Sequence, residues 1–284
     1  MSVRSGLDAP PRGVALLAGF GIAFVALPVI GLAARAPWSD LGSLWTPGAR
    51  KALGVSLVVT GAAAALALVL GLPAAIVLAR GRFRGASLLR GVVLLPIVLP
   101  PVVGGIGLLM ALGRRGVLGR PLAAIGIHLP FTTGAAVLAA AFVSTPLLVL
   151  AVEGGLRSID PRLEQAAAAM GASRWYVLRR VTLPLLRPQI LAGVVLAAAR
   201  ALGEFGATIT FAGNIAGRTQ TLPLSVYQTL QSDPGGAILQ ALLLVAISLV
   251  AIPHLNTSLF SQSQQSTNLV ADSNWMEPDG CLFM

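Results

Sequence analysis

From Ala52 to Ala79 the chain carries no charged side chain, and Pro73 is the one proline in that stretch. A helix crossing a hydrocarbon core of about 30 Å needs about 20 predominantly apolar residues. This run is therefore long enough to span a bilayer and too apolar to remain in water. Five further runs share the pattern: Gly13–Ala34, Gly91–Leu112, Phe131–Val152, Ile190–Ala212 and Gly235–Pro253. Lipid offers no partners for backbone N–H and C=O groups, so single segments that cross it must be helical. The expected fold is all-α, a polytopic membrane protein with about six transmembrane helices. Composition supports this. Of 284 residues, 56% are hydrophobic and 11% charged, whereas soluble domains carry roughly 25% charged residues.

The net charge of +10 would raise nucleic acid as a partner in a soluble protein. Here the arginines cluster between the apolar runs, and no basic stretch interleaves with aromatics as a nucleic-acid platform would. They read as topology signals, with the lipid bilayer as the medium. With the N-terminus inside, twelve basic residues fall on the cytoplasmic side: two in the N-tail 1–12, four at 80–90 and six at 153–189. Seven fall outside: Arg35, Arg50, Lys51, Arg114, Arg115, Arg120 and Arg218. This bias favours a cytoplasmic N-terminus, although the Arg114–Arg120 group runs against it. The apolar piece Pro121–Pro130 then reads as a re-entrant or interfacial element on the outer side. Arg4 and Arg12 before Gly13–Ala34 also resemble a secretory signal, but the run exceeds the roughly 7–15 residues of a signal core. An uncleaved anchor is the expectation.

Lys51 is the chain's one lysine. A Walker A loop requires Gly-x-x-x-x-Gly-Lys-Ser/Thr, and Ala49-Arg50-Lys51-Ala52 does not supply it. No P-loop ATPase site and no enzymatic centre is expected in this chain. Cys281, His128 and His254 are scattered, which argues against a disulfide framework or a His/Cys metal site. The 256–284 segment holds three of the four asparagines and no Lys or Arg. It reads as a polar, disordered tail following a transmembrane domain at 13–255.

The 153–189 loop is the most informative segment. Asp160-Pro161 is a helix start, a capping side chain followed by proline at the first helical position. The predicted helix continues through Ala169 and stops at Gly171. Ser173 then caps a second helix, expected over Arg174–Val181 and ending before Leu183-Pro184. Four consecutive alanines give the first helix a smooth face for another protein's groove, with Glu164 and Gln165 as polar contacts at its edge.

Gln165-Ala166-Ala167, then Gly171, Val181 and Leu183-Pro184, resembles the EAA loop of ABC-importer permeases. Every interval of that pattern is kept. Gln165 stands at the family's Glu position, with Glu164 just before it, and Val181 stands for Ile. The resemblance implies a type I importer fold in which this loop is the coupling helix seated in a separate ATPase subunit. Glu164, Gln165, Ala166, Ala167, Gly171, Leu183 and Pro184 would make that contact, with ATP and Mg bound by the partner and no cofactor in this chain.

Arg200 lies about ten residues into the fifth run, roughly 15 Å deep at 1.5 Å per residue. A charge there is costly, about 2.5–3.5 kcal/mol on insertion scales, and should face the bundle interior. Glu204, four residues on, and Thr208, another turn on, are expected on the same helix face. Two readings stand: a self-neutralising pair that locks helix packing, or a translocation-path or gating position for an anion. The surrounding Arg200–Asn214 text and Gly217–Pro223 resemble molybdate/tungstate permeases, and sulfate/thiosulfate permeases share Gly203–Gly206. The resemblance spans about residues 50–250. It implies an inner-membrane homodimer with two ATP-binding-cassette subunits and a periplasmic or lipid-anchored molybdate-binding protein. Arg218, Thr219 and Thr221 would contact an oxyanion or the docked binding protein, or else form an ordinary solvated loop.

The third run contains Pro96, Pro100, Pro101, Gly104, Gly105 and Gly107. Irregular backbone at membrane depth survives against protein or a water-filled cavity. Pro100 and Gly104 therefore mark either a gate or a kinked packing helix. A rival class is an ATP-independent channel or carrier, which would transport without a partner ATPase. An intramembrane enzyme would need a nucleophile, acid dyad or metal set, which the spans do not offer.

Overall fold

The computed structural model describes residues 11–81 and 83–250, apart from the side chain of Ser43. The expected N-tail (all but its last two residues), Arg82, the end of the sixth run beyond Val250 and the 256–284 tail lie outside the described residues. Among those described, the regular elements are all helical. In chain order they are α1 Arg12–Arg35, a 3₁₀ segment Trp38–Trp45, α2 Pro47–Arg80, α3 Ala86–Val98 and α4 Pro101–Leu112. There follow α5 Gly119–Ala124, α6 Thr133–Ser158, α7 Pro161–Ala169, α8 Arg174–Val177, a π-turn Leu178–Thr182 and α9 Leu183–Leu185. The last elements are α10 Arg187–Leu202, α11 Gly206–Phe211, α12 Leu222–Leu230 and α13 Pro234–Val250.

Local chemistry sets the ends of the long helices. Thr46 accepts a hydrogen bond from Ala49 N at 3.3 Å and precedes Pro47 at the first turn of α2. Thr132 accepts one from Ala135 N at 3.2 Å to start α6. α1, α2 and α6 are each long and apolar enough to cross a membrane unbroken.

Two of the six expected spans are not straight. The third run bends by 118° between α3 and α4. Pro100 and Pro101 cannot donate to carbonyls one turn back, so the chain turns there and restarts with Pro101 at the first position of α4. In the fifth run, α10 ends at Leu202 and the chain unwinds through Gly203 before α11 begins at Gly206. The second helix of the loop also departs from expectation. It does not end before Leu183-Pro184; helical backbone runs on through the π-turn to Leu185 and meets α10 at 67°. Pro184 falls in the first turn of α9, where its missing N–H costs nothing. The sixth run forms α13, an apolar helix shorter than the others.

The core is built by α2, α6 and α10. Their contacts are mostly alanine: Ala63, Ala67, Ala75, Ala135, Ala139, Ala140 and Ala197 are fully enclosed. Between lipid-embedded helices no hydrophobic difference drives association, so close backbone approach through small residues must. Gly193 shows the closeness. A methyl group there would lie 3.2 Å from Ala151 Cβ and 3.3 Å from Leu148 Cα. Gly193→Leu should therefore force α10 off α6 and cost about 1–3 kcal/mol. A lowered thermal midpoint of the detergent-solubilised protein would report it. Gly54, on the open side of α2 with nothing within 4 Å, is the matched control, and Gly54→Leu should leave the midpoint unchanged.

α1 buries none of its residues against the rest of the chain. α12 and α13 close the far end, where Ser225 Oγ donates to Gln240 Oε1 at 2.9 Å and the buried Ser56 hydroxyl accepts from Leu222 N at 2.6 Å.

Candidate coupling surface and membrane-embedded charge pair

The loop after α6 folds as its caps dictate. Asp160 accepts from Arg162 N at 2.9 Å, and Pro161 occupies the first position of α7. Gly171 takes φ +86°, a left-handed conformation that glycine adopts without strain. Ser173 accepts from Tyr176 N at 3.3 Å and starts α8. α7 packs on α8 and the π-turn and has two distinct faces. Gln165, Ala166, Ala168 and Ala169 are exposed, and Met170 extends that surface at its C-terminal end. Ala167 is buried beneath.

Glu164 also turns inward. Its Oε1 is ion-paired with Arg80 at the end of α2 and accepts from Thr182 Oγ1 at 2.6 Å. Of the residues expected at the docking edge, Gln165 faces out and Glu164 is engaged within the chain. Leu183 and Pro184 are half-buried in the turn leading to α10. A second carboxylate sits nearby: Glu153 on α6 is buried and is gripped by Arg90 on α3 and by Arg157, one turn along α6 at 2.7 Å. Arg90 Nη2 also donates to Leu78 O at 3.2 Å. Sequence reasoning did not single out Arg80, Arg90, Glu153 or Thr182. The available signal was Glu153, an acid immediately after an apolar run and therefore in need of a partner.

The membrane-embedded pair forms as expected: Arg200 Nη1 lies 2.8 Å from Glu204 Oε2. Glu204 is nearly fully buried, while the Arg200 side chain remains 34% exposed. The two do not share a continuous helix with Thr208, because α10 ends between them. Glu204 instead has a second task. Its Oε1 accepts from Ala207 N at 2.8 Å, satisfying a donor in the first turn of α11 and placing negative charge at that helix's positive end. Thr208 is buried inside α11.

α11 packs across α4. A methyl group on Gly206 would meet Pro101 Cβ at 2.9 Å, and one on Gly105 would meet Ala207 O at 2.7 Å. Gly104 packs against α6, where a methyl would lie 2.8 Å from Phe142 Cε1. Pro100 is exposed at the tip of the bend. The fold thus brings the two candidate gate segments, Pro100–Gly107 and Arg200–Thr208, to one crossing.

The 213–221 loop resolves into distinct roles. Thr219 is enclosed, accepting from Ile215 N at 2.9 Å and donating to Gly213 O at 3.2 Å. Gln228 Oε1 accepts from Gln220 Nε2 at 2.6 Å and from Asn214 Nδ2 at 3.0 Å. Thr221 is buried as well, and Arg218 is exposed. No group of three or more His, Cys, Asp or Glu side chains able to hold a metal occurs among the described residues.

Broken helices that pack at one crossing and a capped helix-turn-helix loop after α6 are the features to compare with known folds. The chain resembles a subunit of a bacterial alginate ABC transporter with TM-score 0.64 at 19% identity, covering 86% of this chain and 91% of that one. Residues 67–256 match the family described as binding-protein-dependent transport system inner membrane component, and the chain belongs to that family. It is 49% identical over 243 residues to the molybdenum transport system permease protein of Mycobacterium tuberculosis, covering 85% of this chain and 92% of the relative. The corresponding Escherichia coli K12 protein is 46% identical over 203 residues, covering 71% and 89%. A sulfate transport system permease of Synechococcus elongatus is 42% identical over 193 residues, covering 66% and 68%.

Proposed function

We propose that the chain is the membrane-spanning subunit of an ATP-driven importer of a tetrahedral oxyanion, molybdate foremost. The observation that carries the substrate is the 49% identity over 85% of the chain to a relative named for molybdenum transport. The sulfate-named relative shares less of both chains. Tungstate has the same charge and shape as molybdate and belongs to the same substrate class.

In this reading two copies form the pathway. Two ATPase subunits dock on the exposed face of α7 around Gln165, Ala166, Ala168 and Met170, with Gly171 ending the docking helix. They bind ATP and Mg; the one lysine of this chain, Lys51, lies in Ala49-Arg50-Lys51-Ala52 and not in a Walker A sequence. Closure of the ATPases draws the two α7 helices together and rocks the spans outward. A binding protein docked on the opposite side, near Arg218, releases the oxyanion into the path past the α4–α11 crossing. The N-terminus and α7 lie on the cytoplasmic side, where the counted basic excess falls.

Reconstitution tests the substrate. Proteoliposomes holding the full complex and its loaded binding protein should accumulate molybdate, with tungstate competing at equal concentration. Sulfate in about hundredfold excess should leave uptake nearly intact, a discrimination of about 4 kcal/mol or more. Preferential uptake of sulfate would replace molybdate as the substrate.

A further inference from the structure

α7 is held to the transmembrane core by very little of its own surface. Ala167 is its one buried residue. The polar link is Glu164, whose single oxygen Oε1 meets two partners, one on a core helix and one in the turn that leads to another. One is Arg80, the last residue of α2. The other is Thr182, which is fully enclosed in the π-turn feeding α9 and α10 and whose hydroxyl donates at 2.6 Å. Arg80 Nη2 closes the triangle by donating to Thr182 Oγ1 at 3.2 Å. α2 and α10 are two of the three core helices, and α10 carries Arg200 at its far end. The triangle thus joins the docking helix to the end of α2 and to the turn that leads into α10. π-Turns recur at functional sites because they place a side chain that a regular helix would not.

We infer that Arg80 is a positioning residue for coupling: through Glu164 and Thr182 it makes α7, α2 and the π-turn move as one body. The inference rests on the reading of α7 as the ATPase-docking helix. Arg80 and Glu164 are 41% and 27% exposed in their side chains, and ion pairs at such exposure contribute little to stability. Losing the triangle therefore leaves the fold standing and loosens the linkage. A displacement imposed on α7 is then absorbed by the loop on either side of it.

The test uses the complete complex with its ATPase and loaded binding protein, in proteoliposomes, with molybdate as the probe. Molybdate uptake and ATP hydrolysis are measured on the same preparation. Arg80→Gln should assemble and hydrolyse ATP within about twofold of the parent, while molybdate moved per ATP falls about tenfold, a loss within the range of coupling free energies. Arg80→Lys, which keeps a donor cation at the same place, should restore most of that ratio. Arg80→Gln combined with Glu164→Gln should be no worse than either alone. An unchanged ratio in Arg80→Gln overturns the inference, as does a parallel fall of hydrolysis and uptake, which marks a purely structural residue. Ala166→Arg, run alongside, separates the two levels. If it leaves ATPase association intact, the docking assignment itself has failed and the inference falls with it. If it abolishes association while Arg80→Gln keeps a normal ratio, the Arg80 linkage alone is wrong.

Discussion

Glu204→Ala should destabilise the protein by about 2 kcal/mol and nearly abolish transport, since it leaves the partly exposed Arg200 uncompensated and removes a helix cap. Two losses combine in this variant. Arg200 loses its counter-charge at 2.8 Å inside the membrane, and Ala207 N loses its acceptor at 2.8 Å. A missing helix cap alone costs roughly 1 kcal/mol. Glu204→Gln separates the two effects, because an amide oxygen can still accept from Ala207 N while giving Arg200 no charge. It should therefore fall between the parent and Glu204→Ala in thermal midpoint. A charge-swapped pair, Arg200→Glu with Glu204→Arg, restores attraction but places a cation at the positive end of α11. It should remain defective, with uptake well below the parent. Full transport by the swapped pair would show that charge pairing is all that matters at this site and that capping of α11 is dispensable.

The second large effect concerns α7. Ala166→Arg places a long charged side chain on an exposed, alanine-lined face. The folded chain has room for it, so the stability of the isolated protein should change by no more than about 0.5 kcal/mol, as is usual for surface changes. A partner's fitted groove has no such room. Co-purification of the ATPase should be lost and ATP-driven uptake should drop to background. Gly171 is a less clean probe because its φ of +86° penalises any side chain, whether or not a partner is bound. Ala167 is less clean because it is the buried residue on the inward side of α7.

How much of this was legible follows from which forces act locally. The α7 start and stop were readable because Asp160, Pro161 and Gly171 act on their own backbone. The Arg200–Glu204 pair was readable because a four-residue spacing and the cost of buried charge both act within one segment. The break at Gly203 was not, since Gly203 and Gly206 fall inside one long apolar run, and the close packing of Gly206 on Pro101 joins segments about a hundred residues apart. Nor was the partner of Glu164. A carboxylate on an Ala-rich surface helix reads as solvated, and Arg80 and Thr182 lie 84 and 18 residues away. Thr219 misled in the same way. Its loop looked open, yet the hydroxyl is consumed in closing the turn between Gly213 and Ile215.

The central claim is that this chain builds a pathway whose motor is a separate ATPase docked on α7. Molybdate uptake into proteoliposomes containing the full complex, measured with and without ATP inside, tests it most directly. The account predicts uptake that requires ATP, the ATPase subunit and the loaded binding protein together, and that vanishes in the Ala166→Arg variant. Molybdate entry at the same rate without ATP, or through this chain reconstituted alone, would contradict it and mark the protein as a channel or carrier.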